Sequence, residues 1–274
     1  MNKLVQLLVT IVIIYVVFLF LLYIFQNSFI FFPSRAVDVT PGNYSMQYED
    51  HFFQTEDGLN LHGWWIEHPE ASASVILSHG NAGNISHRIS LVQMMNGLKV
   101  NFFLYDYRGY GKSEGRPDEK GLYLDGMAAY QFVRETKGIT PGEIILFGRS
   151  IGGAVAAENA VKTEIGGLVI ESAFSDVRSL MRQLFPIVPT FLAKYDFPVS
   201  EYLKEITVPV MIMHSHQDDI IPYNHGLKNY EAANSPKWFI ELQGGHNDNF
   251  MVSETIYLAA WQQFLLALNE DEEE

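Results

Sequence analysis

Ser150 stands in Gly148-Arg149-Ser150-Ile151-Gly152, where an apolar stretch, Ile144 to Phe147, meets a run rich in small residues, Ile151 to Ala160. A serine hydroxyl is a weak nucleophile at neutral pH and becomes useful only when a base takes its proton and a third group holds that base. Glycines two positions either side let a strand and a helix approach closely around a sharp turn, with the hydroxyl exposed at its tip. His246, in Gly244-Gly245-His246-Asn247-Asp248, offers the base, and Asp218, in His214-Ser215-His216-Gln217-Asp218-Asp219-Ile220-Ile221-Pro222, offers the acid. Asp219 is the rival acid, because adjacent residues point in different directions and only one can meet His246; Asp218 is the preferred reading. The chemistry these types support is acyl transfer through a serine ester. Its developing oxyanion needs two donors. The Ile151 N–H at the start of the following helix supplies one, and the Asn81 N–H in the small-residue loop His79-Gly80-Asn81-Ala82-Gly83-Asn84 the other.

Such a constellation needs elements that end where its members begin. Tyr48 to Thr55 and Leu59 to Glu67, joined by Glu56-Asp57-Gly58, read as an antiparallel hairpin. Ser74 to Ser78, Asn101 to Tyr105, Glu143 to Phe147, Gly167 to Ile170, Pro209 to Met213 and Lys237 to Leu242 follow as apolar strands, eight in all. Helical patterns over Ser86 to Asn96, Glu119 to Lys137, Ile151 to Lys162, Tyr223 to Ala233 and Ser253 to Leu268 lie between or after them. Strands alternating with helices predict a mostly parallel sheet covered on both faces. The segment 175–202 is too long for a simple connection and too apolar for disorder. It reads as a short helical cap over an apolar substrate site, the alternative being a crossover helix that completes the core. Asp106-Tyr107-Arg108-Gly109-Tyr110-Gly111-Lys112-Ser113-Glu114-Gly115 reads as a turn system in which Arg108 pairs with Asp106 or Glu114, and His79 as a loop-shaping donor.

Ahead of this domain, Leu4 to Phe25 carries no charge in 22 residues and would span about 33 Å as a helix, enough to cross a bilayer. The residues that follow, Tyr23 to Phe29, lack the small-residue pattern of a cleavage site, so a retained anchor is expected. Lys3 and the terminal amine before it, against Arg35 offset by Asp38 after it, predict a cytoplasmic N-terminus and a domain on the non-cytoplasmic side. The organisation is then an anchor and interfacial segment over 1–33, one domain over 34–268 and an acidic tail over 269–274.

Composition narrows the partners. In 274 residues, 18 Lys plus Arg face 32 Asp plus Glu, a formal charge of -14 that repels phosphate backbones and argues against nucleic acid. No Cys is present, which removes disulfides, thiolate metal sites and a cysteine nucleophile. His214 and His216, near Asp218, are the weak case for a metal; zinc would want a further ligand and an open position, and neither a metal nor a cofactor is expected.

At these residues the chain resembles the α/β-hydrolase superfamily, and within it the N-terminally membrane-anchored serine hydrolases that include acyl-protein thioesterase-like members. The resemblance runs from His-Gly-Asn-Ala-Gly-Asn through Asp-Tyr-Arg-Gly-Tyr-Gly-Lys-Ser-Glu-Gly, Gly-Arg-Ser-Ile-Gly-Gly and Asp-x-x-Ile-Pro to Gly-Gly-His, over nearly all of 48–268. It implies the α/β-hydrolase fold, Ser150 as nucleophile, His246 as base and then acid, Asp218 as orienter, and the Asn81 and Ile151 N–H groups as oxyanion hole. Ser215 departs from the glycine many relatives carry there. The expected reaction is hydrolysis of an acyl ester or thioester, lipid or lipidated substrates included, with the bilayer as partner. A peptidase or amidase on the same triad and a silent hydrolase-fold scaffold are the alternatives.

Overall fold

A computed structural model describes residues 2–270 of the chain; of the acidic tail, residues 271–274 lie outside the described residues. One sheet holds eight strands: β1 (Glu49–Gln54), β2 (Asn60–Ile66), β3 (Ala73–Ser78), β4 (Val100–Tyr105), β5 (Ile144–Arg149), β6 (Gly167–Glu171), β7 (Val210–Ser215) and β8 (Lys237–Leu242). The helices are α1 (Lys3–Ile24), α2 (Gln26–Ile30), α3 (Ile89–Met95), α4 (Glu119–Gln131), α5 (Gly152–Lys162), α6 (Val177–Leu184), α7 (Val199–Leu203), α8 (Asn224–Ala232), α9 (Asn249–Val252) and α10 (Glu254–Glu270).

The strand order is β1-β2-β4-β3-β5-β6-β7-β8. β2 runs antiparallel to both β1 and β4, and every other pairing is parallel. Both faces are apolar, so the central strands read as unbroken hydrophobic runs. Val75 and Leu77 of β3 pack with Phe102 and Phe147 beneath α3 and α10, whereas Ile76 turns to the opposite face with Phe103 and Leu146 beneath α4 and α5. α5 lies so close to the sheet and α4 that Ala154, Val155, Ala156 and Ala157 are all buried, and only small side chains fit there.

The structure redraws several expected boundaries. The helix expected over Ser86 to Asn96 is a short α3 flanked by two 3₁₀ turns, Ile85–Arg88 and Asn96–Leu98, and the helix expected to reach Lys137 ends in a π turn, Phe132–Thr136. The ion pair expected from Arg108 to Asp106 or Glu114 does not form. Arg108 instead binds Asp125 through its backbone N–H at 2.7 Å and Nε at 2.9 Å, and Asp57 through both terminal nitrogens at 2.9 and 3.1 Å. Glu114 accepts from the Asn60 N–H, and Asp106 turns the other way, accepting from the Ile85 N–H.

Segment 175–202 divides in two. Phe197 and Val199 are fully buried and complete the core, while Phe185, Ile187 and Phe191 are exposed. At the chain's start, α1 is 22 residues long and buries none of its side chains in the domain. By length and composition it is a helix able to cross a membrane.

Candidate active site

After β4 the chain steps back over β3 to place β5 on its far side, and the carboxyl ends of β3 and β5 frame the crevice that such a switch leaves. Ser150 follows β5 with φ +56° and is nearly buried. Its N–H donates to Glu171 O at 2.8 Å, which holds the turn against β6. The left-handed φ is a strained conformation for a side-chain-bearing residue, and the glycines around it explain how the chain accommodates it. A Cβ on Gly152 would lie 1.9 Å from Ser78 O, and one on Gly148 would lie 2.3 Å from Gly152 O. Gly152→Ala should therefore lower stability by on the order of 3 kcal/mol through overpacking against backbone. Gly97→Ala, where a Cβ meets nothing within 4 Å, serves as the neutral comparison in urea denaturation.

The loops after β7 and β8 carry the other two groups. His246 Nδ1 lies 2.8 Å from Asp218 Oδ2 and 3.0 Å from Oδ1. Asp218 is fixed by the backbone N–H groups of Ile220 and Ile221, which donate to its Oδ1 at 3.0 and 2.7 Å. Burial pushes the Asp218 carboxyl up. The hydrogen bond and charge of His246, with those two backbone donors, outweigh burial and hold it below the ordinary carboxylate value. Asp219 takes a separate place, accepting the His246 backbone N–H at 2.9 Å, so the two adjacent acids hold the ring and the main chain of one residue. Ser215 ties the end of β7 to this region by donating to Gly244 O.

Ser150 and His246 line one cleft of about 390 Å³ with Gly80, Asn81, Ala82, Gly83, His87, Arg88, Arg149, Ile220 and Asn247. No hydrogen bond joins Ser150 to the His246 ring among the described residues; such contacts commonly tighten only when substrate binds. The His79–Asn84 loop rests directly on the serine, since a Cβ on Gly80 would come 3.5 Å from Ser150 Cβ. Ile151 caps α5, where the first N–H groups have no partner within the helix. No residue of 175–202 lines the cleft among the described residues.

Several supporting residues carry no signature in the sequence. Tyr107 and Tyr110 donate to His79 O and Asn81 O at 2.9 and 2.7 Å, so the turn after β4 braces the loop after β3. On its outer side that loop pairs with the chain leaving α2, Phe32 and Pro33 lying parallel to Ala82 and Gly83, and Asn81 Nδ2 donates to Ile30 O at 2.9 Å. Arg149 binds Glu171 through Nε at 2.8 Å and reaches His246 O through Nη2 at 2.7 Å, tying the serine turn to the histidine loop. Arg88 donates to Ala82 O, but its Nε has no hydrogen-bond partner among the described residues. Burial and the neighbouring Arg149 charge lower its pKa to about 10, which leaves it a cation at neutral pH.

The two histidines of the metal reading make separate contacts. His214 Nε2 is 2.9 Å from Ile221 O, whereas His216 is exposed, stacked on Tyr223 and 2.9 Å from Glu241. No group of three His, Asp or Glu suited to a metal occurs among the described residues.

Two buried histidines make the scaffold acid-sensitive. Burial, with the charge of Arg88, lowers the pKa of His79 to about 3. Burial, with the charge of Lys228, lowers that of His225 to about 4, and its Nδ1 accepts the Ser175 N–H at 3.1 Å, which only the neutral ring can do. Unfolded histidine protonates near pH 6.5, so between there and pH 4 the unfolded state holds more protons than the folded one. Stability then falls as pH falls, by up to about 2.7 kcal/mol per pH unit for the pair. Urea midpoints at about pH 7.5 and about pH 5 should show that loss; equal midpoints would contradict it.

A family model described as serine aminopeptidase, S33, matches residues 69–199. The α/β hydrolase domain-containing protein WAV2 of Arabidopsis thaliana is 32% identical over 273 residues, covering 89% of each chain. An uncharacterised protein of Mycobacterium tuberculosis is 32% identical over 244 residues, covering 88% of this chain and 87% of its own. Among solved structures, the Pyrococcus furiosus esterase Pf2001 superposes with a TM-score of 0.74 at 22% identity, over 87% of this chain and 98% of its own.

Proposed function

We propose, for a chain that belongs to the α/β-hydrolase superfamily, that it is a serine hydrolase cleaving carboxylic esters or thioesters while held to a membrane by α1. The observation that carries this reading is His246, paired from behind with Asp218, lining the same cleft as a serine on a left-handed turn. His246 Nε2 takes the Ser150 proton as Oγ attacks the acyl carbon, and the Asn81 and Ile151 N–H groups hold the oxyanion that forms. Collapse breaks the bond to the leaving alcohol or thiol, which takes the proton back from His246. Water then gives its proton to His246 and attacks the acyl-enzyme, releasing the carboxylic acid and restoring Ser150. Asp218 stays ionised throughout and steadies the imidazolium.

The matching family model's description raises a second reading, an aminopeptidase. Such an enzyme must receive a free α-ammonium beside the scissile carbonyl. The cleft offers the Arg88 cation and no carboxylate among its described lining residues, Arg149 being paired with Glu171, so a free ammonium finds no acidic partner there and a neutral or anionic acyl group is preferred. Lys3 at the start of α1, against Arg35 offset by Asp38 beyond its end, supports a domain on the non-cytoplasmic side.

A panel of aryl esters, acyl thioesters and aminoacyl amides, compared by kcat/KM, tests the reading. Esters and thioesters should be cleaved well above amides, and an N-acetylated amino-acid ester should outrun its free-amine counterpart. Preference for the free amine, or for amides, would favour the aminopeptidase. Silence toward all three by folded protein would favour a scaffold.

A further inference from the structure

We propose that the segment from Leu184 to Leu192 is a second membrane contact, bedded in the same bilayer as α1 and fixing the tilt of the domain on it. The inference rests on reading α1 as a membrane helix. The segment runs Leu-Phe-Pro-Ile-Val-Pro-Thr-Phe-Leu without a charge. Its large side chains find no cover in the protein: Phe185 is 56% exposed, Ile187 68% and Phe191 80%. Three large apolar side chains exposed within seven residues make a contiguous patch of the kind that marks a surface made for another apolar phase.

Its place along α1 identifies that phase. Gln26 Nε2 donates to Leu192 O at 3.1 Å, and Gln26 Oε1 accepts the Lys194 N–H at 2.7 Å, so the segment starts at the domain end of the anchor. From there it runs back along the helix until Tyr15 OH donates to Ile187 O at 2.5 Å. Tyr15 precedes Ile24, the last residue of α1, by nine positions, so at 1.5 Å per residue the segment reaches about 14 Å along the anchor from its domain end. A helix that crosses a hydrocarbon core of about 30 Å therefore carries the segment below the headgroup level with it.

The local chemistry suits that depth. Pro186 and Pro189 have no N–H to satisfy, the N–H groups of Val188 and Leu192 donate to Phe185 O and Pro189 O, and the Tyr15 hydroxyl meets the Ile187 carbonyl. Charge returns only at the flanks. Arg182 lies before the segment and Lys194 after it, its Nζ 4.6 Å from the Tyr23 ring centroid, positions from which cations reach lipid phosphates.

The chain has no native cysteine, so single cysteines report cleanly. Phe191→Cys, Ile187→Cys, Val12→Cys in α1 and Glu135→Cys on the far surface would each be labelled with an environment-sensitive fluorophore. The full-length protein would be studied in phosphatidylcholine–phosphatidylglycerol nanodiscs containing nitroxide lipids. The expected result is loss of fluorescence to the nitroxides at positions 191 and 187 as well as 12, with position 135 unaffected. If 12 is quenched while 191 and 187 behave as 135 does, the segment lies in water and the inference fails while the anchor stands. If none is quenched, the anchor reading falls and takes the inference with it. A blue shift at 191 that needs two copies per disc, without lipid quenching, would assign the patch to a second copy and overturn the proposal.

Discussion

Ser150→Ala should reduce ester turnover by about 10⁴- to 10⁶-fold while leaving the urea midpoint close to that of the parent. The hydroxyl makes no hydrogen bond to His246 among the described residues, and the backbone of the turn is held by the Ser150 N–H to Glu171 O bond, which alanine keeps. Loss of rate therefore separates from loss of fold. The residual rate reports what the two backbone donors and the cleft supply alone. A variant that kept more than a tenth of the parent kcat would move the nucleophile elsewhere.

The adjacent acids should differ by orders of magnitude. Asp218→Asn leaves an acceptor for the Ile220 and Ile221 N–H groups but removes the charge that steadies the imidazolium and the lone pairs that fix its tautomer, a loss of about 10⁴-fold in kcat. Asp219→Asn keeps an oxygen for the His246 N–H and should cost no more than a few-fold. Because burial is outweighed at Asp218 and its carboxyl stays below the ordinary range, its ionisation should not shape the pH–rate profile near neutrality. Kinetics of the two asparagine variants at neutral pH settle the order; a larger loss at Asp219 would reverse the roles.

How far the sequence carried the fold follows from burial. The sheet was legible because its central strands are apolar on both faces and end in glycine-rich turns, as β3 does before His79-Gly80 and β5 before Ser150. The pairing of Phe32 and Pro33 with Ala82 and Gly83 was not, since two residues of backbone bonding leave no periodicity. Arg108 was misread because its partners, Asp57 and Asp125, lie 51 and 17 residues away, and proximity in sequence favoured Asp106 and Glu114.

The candidate site shows the same division. Ser150, Asp218 and His246 were legible by residue type, and Asn81 and Ile151 by their place after a strand and before a helix; Asn81, Ser150 and His246 line one cleft, with Asp218 bonded to His246 and Ile151 capping α5 next to Ser150. Arg149 occupies the motif's variable position, where type carries no message. Only the fold reveals that its guanidinium spans Glu171 and the His246 carbonyl. Removing one partner of this buried pair should leave the other charge uncompensated, a cost of about 3–5 kcal/mol, so Arg149→Met is expected to unfold at markedly lower urea. The cap expectation had a compositional basis, but composition cannot tell an apolar segment beside the cleft from one beside an apolar helix.

The most direct measurement is peptide mapping by mass spectrometry after the full-length protein reacts with a fluorophosphonate. The account predicts one adduct, on the Ser150 hydroxyl, that disappears in His246→Ala. An adduct on another residue, or none on protein that retains its fold, would contradict it.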